Sequence, residues 1–227
     1  MSQVYLPILL LYFLGFVDSN AIQLGTAMAT RRIIVGVTGT NGAGKGTVVD
    51  RLVTKYNFAH YSVRGYLLGE MKKRKIKNTD RDAMRRLANE IRANHSPSYI
   101  VEQLFDEARR PVDSCPDVPF SIIESIRVPM EALALRRRAE GNFFLLAVDA
   151  DPTTRYNRII KRQSETDSVT FSEFMQQEKF EMQNAEEHKQ NLKGCIELAD
   201  KLIFNDHSVE ELNADVDKFV NWIYSKI

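Results

Sequence analysis

Cysteine is nearly missing from this chain. Its 227 residues hold only Cys115 and Cys195, with no CxxC spacing. That excludes a disulfide-built fold. Histidine is sparse as well: His60, His95, His188 and His207 are scattered, none at metal-ligand spacing from another. A zinc site of the usual kind is therefore not expected. The chain also lacks a charge excess, with 31 Lys+Arg against 30 Asp+Glu and a formal net charge of +1. Attraction to nucleic acid or to an acidic membrane has no bulk electrostatic source, so any anion site must arise from local placement. Internal repeats and low-complexity tracts are absent. What remains is ordinary globular composition, 44% hydrophobic and 27% charged, at a length that suits one domain with an inserted lid.

Basic residues are missing from residues 1–30, which carry a single acid, Asp18. Val4 to Val17 is almost wholly apolar. As a helix at ~1.5 Å per residue it would cover roughly 21 Å, short of the ~30 Å hydrocarbon core. A signal-peptide core matches better, although the basic n-region is missing. The alternative is that Met28 is the working start. Residues 1–30 are thus set apart as a hydrophobic extension, either signal or anchor or a mis-assigned start, and residues 31–227 as the working domain.

Within that domain, five short apolar runs alternate with helical patterns. Ile33–Thr38, Phe58–Ser62, Pro119–Glu124, Asn142–Val148 and Lys201–Asn205 read as strands. Such alternation implies an α/β fold, a doubly wound parallel sheet of about five strands with helices on both faces. Ser96-Pro97 and Asp151-Pro152 mark helix starts, and Thr170…Glu173 and Ser208…Glu211 read as capping boxes. The basic runs Lys72–Lys75 and Arg136–Arg138 read as solvated helix faces.

One motif is specific. After the first strand come Gly39, Thr40, Asn41, Gly42, Ala43, Gly44, Lys45, Gly46 and Thr47, which fit G-x-x-x-x-G-K between a strand and a helix. Glycines let successive main-chain N–H groups turn toward a phosphate chain without a Cβ clash. The following helix adds its unpaired amides and the positive end of its dipole. Lys45 supplies a mobile point charge for the β- and γ-phosphates. The expected ligand is ATP with Mg²⁺, which places the domain in the cytoplasm, or less directly in an organelle or at a membrane anchored through residues 1–27. The hydroxyl of the strict pattern, next to the lysine, is replaced by Gly46 and comes one residue later at Thr47. Thr47 is therefore a Mg²⁺ ligand either directly or through water.

The Lys-Gly-Thr form of this loop resembles that of nucleoside monophosphate kinases such as adenylate kinase. Residues 36–47, Ile122–Arg127, Ala147–Arg162 and Ile196–Asn205 are similar to the small P-loop kinases. That group includes dephospho-coenzyme A kinase, cytidylate kinase and adenylate-kinase-related proteins. The resemblance implies a P-loop kinase domain with a small helical lid, here around residues 158–175. It implies an ATP-dependent phosphotransferase acting on a small phosphorylated acceptor, with a nucleoside monophosphate favoured and dephospho-coenzyme A as the alternative. Some resembling chains carry a fused deaminase, but the H-x-E and P-C-x-x-C signature is absent here. Neither nucleic acid nor membrane is expected as a partner of the kinase domain.

Glu124 ends the third strand, where open α/β sheets place their ligands, and could hold Mg²⁺ through water or orient the acceptor oxygen. The resembling kinases carry Asp-Gly there; this chain has Glu124-Ser125. By the same resemblance Arg127 grips the acceptor's phosphate, Ser62 and Arg64 lie in the acceptor loop, and Asn205 lies where adenine is held by backbone groups. Arg92 is a further acceptor candidate. For Arg64 and Arg92 the competing reading is a plain helix-surface charge. Arg155, Arg158 and Arg162 share one helix face, and their crowding favours an anion between them. Arg158 and Arg162, with Lys45, Arg127 and Glu124, form the expected catalytic set. Asp149 could support the loop side of the site, but it is not counted among the expected site residues. Phe171, Phe174, Met175 and Met182 read as a core stripe. The competing class is an ATP-binding module with weak or no transfer, which the Glu124-Ser125 departure keeps open.

Overall fold

The computed structural model describes residues 32–109, 120–162 and 170–227. The extension at residues 1–30, Cys115, and the middle of the expected lid fall outside the described residues. The apolar run after Arg32 forms β1 (Ile33–Gly39), buried along its whole length. The phosphate loop leads into α1 (Lys45–Tyr56), and then come β2 (Ala59–Ser62), α2 (Val63–Lys73), α3 (Arg81–Asn94) and α4 (Tyr99–Arg109). β3 (Phe120–Ile126), α5 (Pro129–Arg138), β4 (Phe143–Asp149) and α6 (Pro152–Arg162) follow. α7 (Phe171–Met182), α8 (Leu192–Glu197), β5 (Lys201–Phe204) and α9 (Val209–Tyr224) complete the order.

All strand pairs are parallel, in the order β2-β3-β1-β4-β5. The chain reverses direction across the sheet on either side of β1, so the crevice at the carboxyl ends of β1, β3 and β4 is the ligand position of such a sheet. A buried strand faces apolar layers on both sides, as its unbroken β-branched sequence requires. On one face, α1 and α9 pack Val48, Leu52, Val216, Phe219 and Ile223 against Val35, Val37 and Leu146. On the other, α2 to α5 and α8 pack around Ile34, Ile123, Ile126 and Leu145. α1 and α9 are tied by Asp217, which accepts from Arg51, Lys55 and Tyr56.

Three expectations change. α4 begins at Tyr99 rather than at Pro97, because Ser96 caps with its carbonyl, accepting from Tyr99 N–H at 3.0 Å. The α7 stripe is core only at Phe174, which packs on Tyr156 of α6; Phe171 and Met175 are exposed. Arg136 is no free surface charge: it donates to Asp200 and to Leu198 O, fixing the entry to β5. Both capping boxes form as expected.

β3 carries one extra residue against β1. The register passes from Val37↔Glu124 to Thr38↔Ile126, leaving Ser125 as a bulge at φ 66°. That left-handed conformation suits glycine and costs a residue with a Cβ about 1 kcal/mol. Ser125→Gly is therefore expected to stabilise the fold by about that amount. A urea midpoint that stays put or falls would show that the serine hydroxyl compensates for the strain.

Candidate functional site

The phosphate loop joins β1 to α1 through three residues at positive φ: Gly39 (129°), Gly42 (80°) and Gly44 (101°). Side chains are barred there by contact as well. A Cβ on Gly39 would lie 1.9 Å from Val148 O, and one on Gly42 2.6 Å from Arg155 O. By contrast a Cβ on Gly46 would meet nothing within 4 Å, so the mouth of the loop is open on that side. The loop therefore combines a rigid floor with a free mouth, the form a phosphate cradle needs.

Four side chains brace the floor. Thr40 Oγ1 donates to Asp149 Oδ1. Asn205 Nδ2 donates to Ala43 O at 2.8 Å. Arg155 donates from Nε to Ala150 O at 2.8 Å and ion-pairs with Glu178 of α7 and with Asp149. Arg158 Nη1 donates to Asn205 O at 2.8 Å, anchoring on the β5–α9 connection. The three-arginine face of α6 is thus not an empty anion cage. Arg155 is buried with protein counter-charges, so the repulsion expected between the guanidiniums is relieved within the chain. Asn205 acts on the loop through its side chain. Arg162 ends α6 beside residues 163–169, which lie outside the described residues.

Lys45 Nζ turns back onto its own loop, donating to Gly39 O at 2.8 Å and Thr40 O at 2.6 Å. Burial, and then the charge of Arg127, bring its ammonium group down to about 7. Arg81, Glu181 and Glu124 act on the same ammonium, so all five charges share one neighbourhood. Glu124 accepts from Ser62 Oγ at 2.8 Å and faces His60 Nε2 at 3.5 Å. The His60 contact is the main cause that holds its carboxyl below the usual range. A carboxylate ionised in this way can carry out the role expected of it. Thr47 lies in the first turn of α1. Among the described residues no group of three His, Cys, Asp or Glu could hold a metal by itself. A Mg²⁺ ion would therefore have to arrive with the nucleotide, drawing its ligands from phosphate, water, Thr47 and Glu124.

Beside Lys45 opens a cavity of about 140 Å³. Val63, Leu67, Met84 and Ala88 form an apolar wall; Arg64, Arg81, Arg85 and Arg127 supply positive charge. Arg64 lines it from an unexpected element, and Ser62, bonded to Glu124, comes just before the lining residues Val63 and Arg64 in sequence. No loop separates β2 from the next helix: Ser62 caps α2, accepting from Gly65 N–H, and Arg64 sits in its first turn. Arg92 also lines the cavity, but it is fully buried and paired with Glu131 at 2.7 Å. Its helix-surface reading is therefore wrong, and most of its charge is spent on Glu131. Arg127 is held at its main chain, where its N–H donates to Glu131 Oε2 at 2.8 Å and its carbonyl accepts from Asn191 N–H. Its guanidinium meets Glu181 at 3.3 Å.

Sequence reasoning missed Arg81, Arg85, Glu131 and Glu181. A signal for two of them was present, since Arg81, Arg85, Ala88 and Arg92 recur at i, i+4, i+7 and i+11, one face of a helix. Nothing in the local sequence marked Glu181, whose partners lie far along the chain.

A family model described as an AAA domain matches residues 35–182. A UPF0200 protein of Pyrococcus furiosus is 25% identical over 193 residues, covering 85% of this chain and 98% of its own. One of Methanocaldococcus jannaschii is 27% identical over 202 residues, covering 86% and 92%. Among solved structures, TT1252 from Thermus thermophilus superposes with a TM-score of 0.56 at 17% identity, over 87% of this chain and 99% of its own. Shikimate kinase from Bacteroides thetaiotaomicron gives 0.51 at 11% identity, over 83% and 98%. At such identities the likeness concerns the fold, a P-loop kinase-like nucleotide-binding fold.

Proposed function

The chain belongs to the AAA-domain family, and on that premise we propose that it transfers a phosphoryl group from ATP to a small phosphorylated acceptor, most simply a nucleoside monophosphate. The observation that carries this reading is the adjacency of two anion sites. Lys45 of the phosphate cradle lies within electrostatic reach of Arg127 and Arg81 of the arginine-lined cavity, with Glu124 beside it. Two polyanions seated there would bring a terminal phosphate and an acceptor oxygen together, and placing the reactants is most of what phosphoryl transfer asks of a protein.

In this reading the amides of residues 39–47 and Lys45 hold the β- and γ-phosphates. Thr47 and Glu124 would hold Mg²⁺, partly through water, and the ion supplies charge neutralisation when bound. Arg64, Arg81 and Arg127 grip the acceptor's phosphate in the forked geometry that guanidinium favours. Val63, Leu67, Met84 and Ala88 receive its organic part. Arg162 lies at the lid end of α6, where it would meet charge on the transferring group. Arg158, anchored on the β5–α9 connection, shapes the far side of the nucleotide site instead. The Lys-Gly-Thr form of the loop favours a mononucleotide over a coenzyme precursor.

The test uses the full chain with ATP and Mg²⁺, a panel of nucleoside monophosphates and dephospho-coenzyme A, and ³¹P NMR of the products. A nucleoside diphosphate is the expected product. If ATP binds but no acceptor is phosphorylated, the chain is a nucleotide-binding module and the transfer reading fails.

A further inference from the structure

The cavity beside Lys45 already contains an anion, and the chain supplies it. Glu181 stands one residue before the end of α7 and is 4% exposed. It takes Arg81 Nη2 on both of its oxygens, at 2.7 and 2.9 Å, and Arg127 Nη1 at 3.3 Å. Burial alone would raise its carboxyl; Arg127 and Arg81 outweigh that and hold it below the usual range. Desolvated guanidiniums need a counter-charge, and here one carboxylate provides it. Polar capacity nevertheless remains unused around the cavity. Arg92 Nη1 and Gln190 Oε1 both belong to residues that line it, and both are buried without a hydrogen-bond partner. Buried polar atoms without a partner are rare in folded proteins, and each calls for an explanation.

We propose that Glu181 is a tethered competitor in the acceptor site: it occupies the place of the acceptor's phosphate and sets the threshold that an incoming anion must pass, which a dianionic phosphate monoester clears. This rests on the phosphotransfer reading above and narrows its acceptor. The selection is by charge. A phosphate monoester brings close to two negative charges and three acceptor oxygens. Glu181 brings one charge and meets Arg81 through a single nitrogen, so the dianion gains by taking both prongs of the fork. A carboxylate or a sulfate ester brings only the charge that Glu181 already provides, and Glu181 has the advantage of being tethered. Both anions cannot stay, because like charges in contact repel strongly in a desolvated site.

The displacement is local. Glu178, one turn earlier, remains paired with Arg155, and Phe171 and Phe174 remain against Tyr156. Only the last turn of α7 is released.

The experiment compares the full wild-type chain with Glu181→Gln. Calorimetry at pH 8 measures binding of the four ribonucleoside 5′-monophosphates and their 5′-sulfates, which keep the shape and lose one charge. The wild type should bind the best monophosphate at least ~30-fold more tightly than its sulfate; Glu181→Gln should tighten both by ~10-fold, because a tethered competitor weakens every ligand that displaces it by the same factor. Amide exchange on the wild type provides a second readout that needs no variant. Residues at the end of α7 should exchange faster when the monophosphate is added and be unchanged with the bare nucleoside. If neither ligand binds more tightly to Glu181→Gln, or α7 becomes better protected, Glu181 is a brace for the arginines and the inference is overturned. If monophosphates are bound and phosphorylated but bind no more tightly to Glu181→Gln, only this inference fails. If the wild type binds ATP but none of the eight probes, the acceptor reading falls and this one with it.

Discussion

Lys45→Met is expected to lower phosphoryl transfer by about 10³-fold, the scale set by removing one preorganised charge-stabilising donor from an active site. The lysine is partly buried on the floor of the cradle, hooked to Gly39 O and Thr40 O. Nothing else in the loop offers a mobile positive charge, and main-chain amides alone do not follow the phosphoryl group as its charge moves. The fold should survive, because the substitution removes a charge that burial disfavours. A variant within tenfold of the wild-type rate, at saturating ATP, would contradict the role given to Lys45.

The same group gives the loop a pH signature. Lys45 titrates near 7 in the folded chain against an ordinary 10.5. Between those values the unfolded chain binds more protons, so this group's contribution to stability improves as pH rises from 7 toward 10.5. Nucleotide binding has the opposite sign. At pH 8 most Lys45 side chains are neutral, and a triphosphate beside them draws the proton back. ATP binding should take up close to one proton at pH 8 and weaken as pH rises above 7. Calorimetry in buffers of different ionisation enthalpy reads this directly. An uptake that is absent, or that persists in Lys45→Met, would assign the proton elsewhere.

Glu131→Ala is expected to cost the fold about 3–5 kcal/mol, the range for stripping one partner from a buried ion pair. Glu131 has no exposed surface and accepts four hydrogen bonds. Two come from Arg92 Nε and Nη2 at 3.0 and 2.7 Å, and two from the main-chain N–H groups of Arg127 and Val128 at 2.8 and 3.1 Å. Alanine would orphan a fully buried guanidinium and free the turn that aims Arg127 at the cavity. Glu131→Gln keeps the shape and part of the bonding, so about 2 kcal/mol is expected. Urea unfolding separates the two. A shift under 1 kcal/mol for the alanine variant would mean that water or another group reaches Arg92.

The parts of this site that could be read in advance share one property: their chemistry is carried by neighbours in sequence. The loop at residues 39–47 is legible because glycine spacing, a preceding apolar strand and a following helix are all local. Glu124 is legible because strand ends point at the crevice of a parallel sheet. The arginines of α6 could be placed on one helix face, but their protein partners could not be read. Periodicity places Arg155 and Arg158 on a common face, but it cannot show that Glu178 of α7 and the carbonyl of Asn205 are waiting for them. Arg92 fails as a surface charge for the same reason, since Glu131 lies on another helix.

Local pattern determined the five strands, the parallel class of the sheet and the place of the phosphate cradle, since each depends on residues within a few positions of one another. The strand order, the β3 bulge at Ser125 and the cavity beside Lys45 were decided only when distant segments packed. Above all, the meeting of Arg81, Arg127 and Glu181 is a tertiary fact. A charge is identified by its residue, but whether it binds a ligand or a neighbour depends on which opposite charge the fold brings within about 3 Å of it.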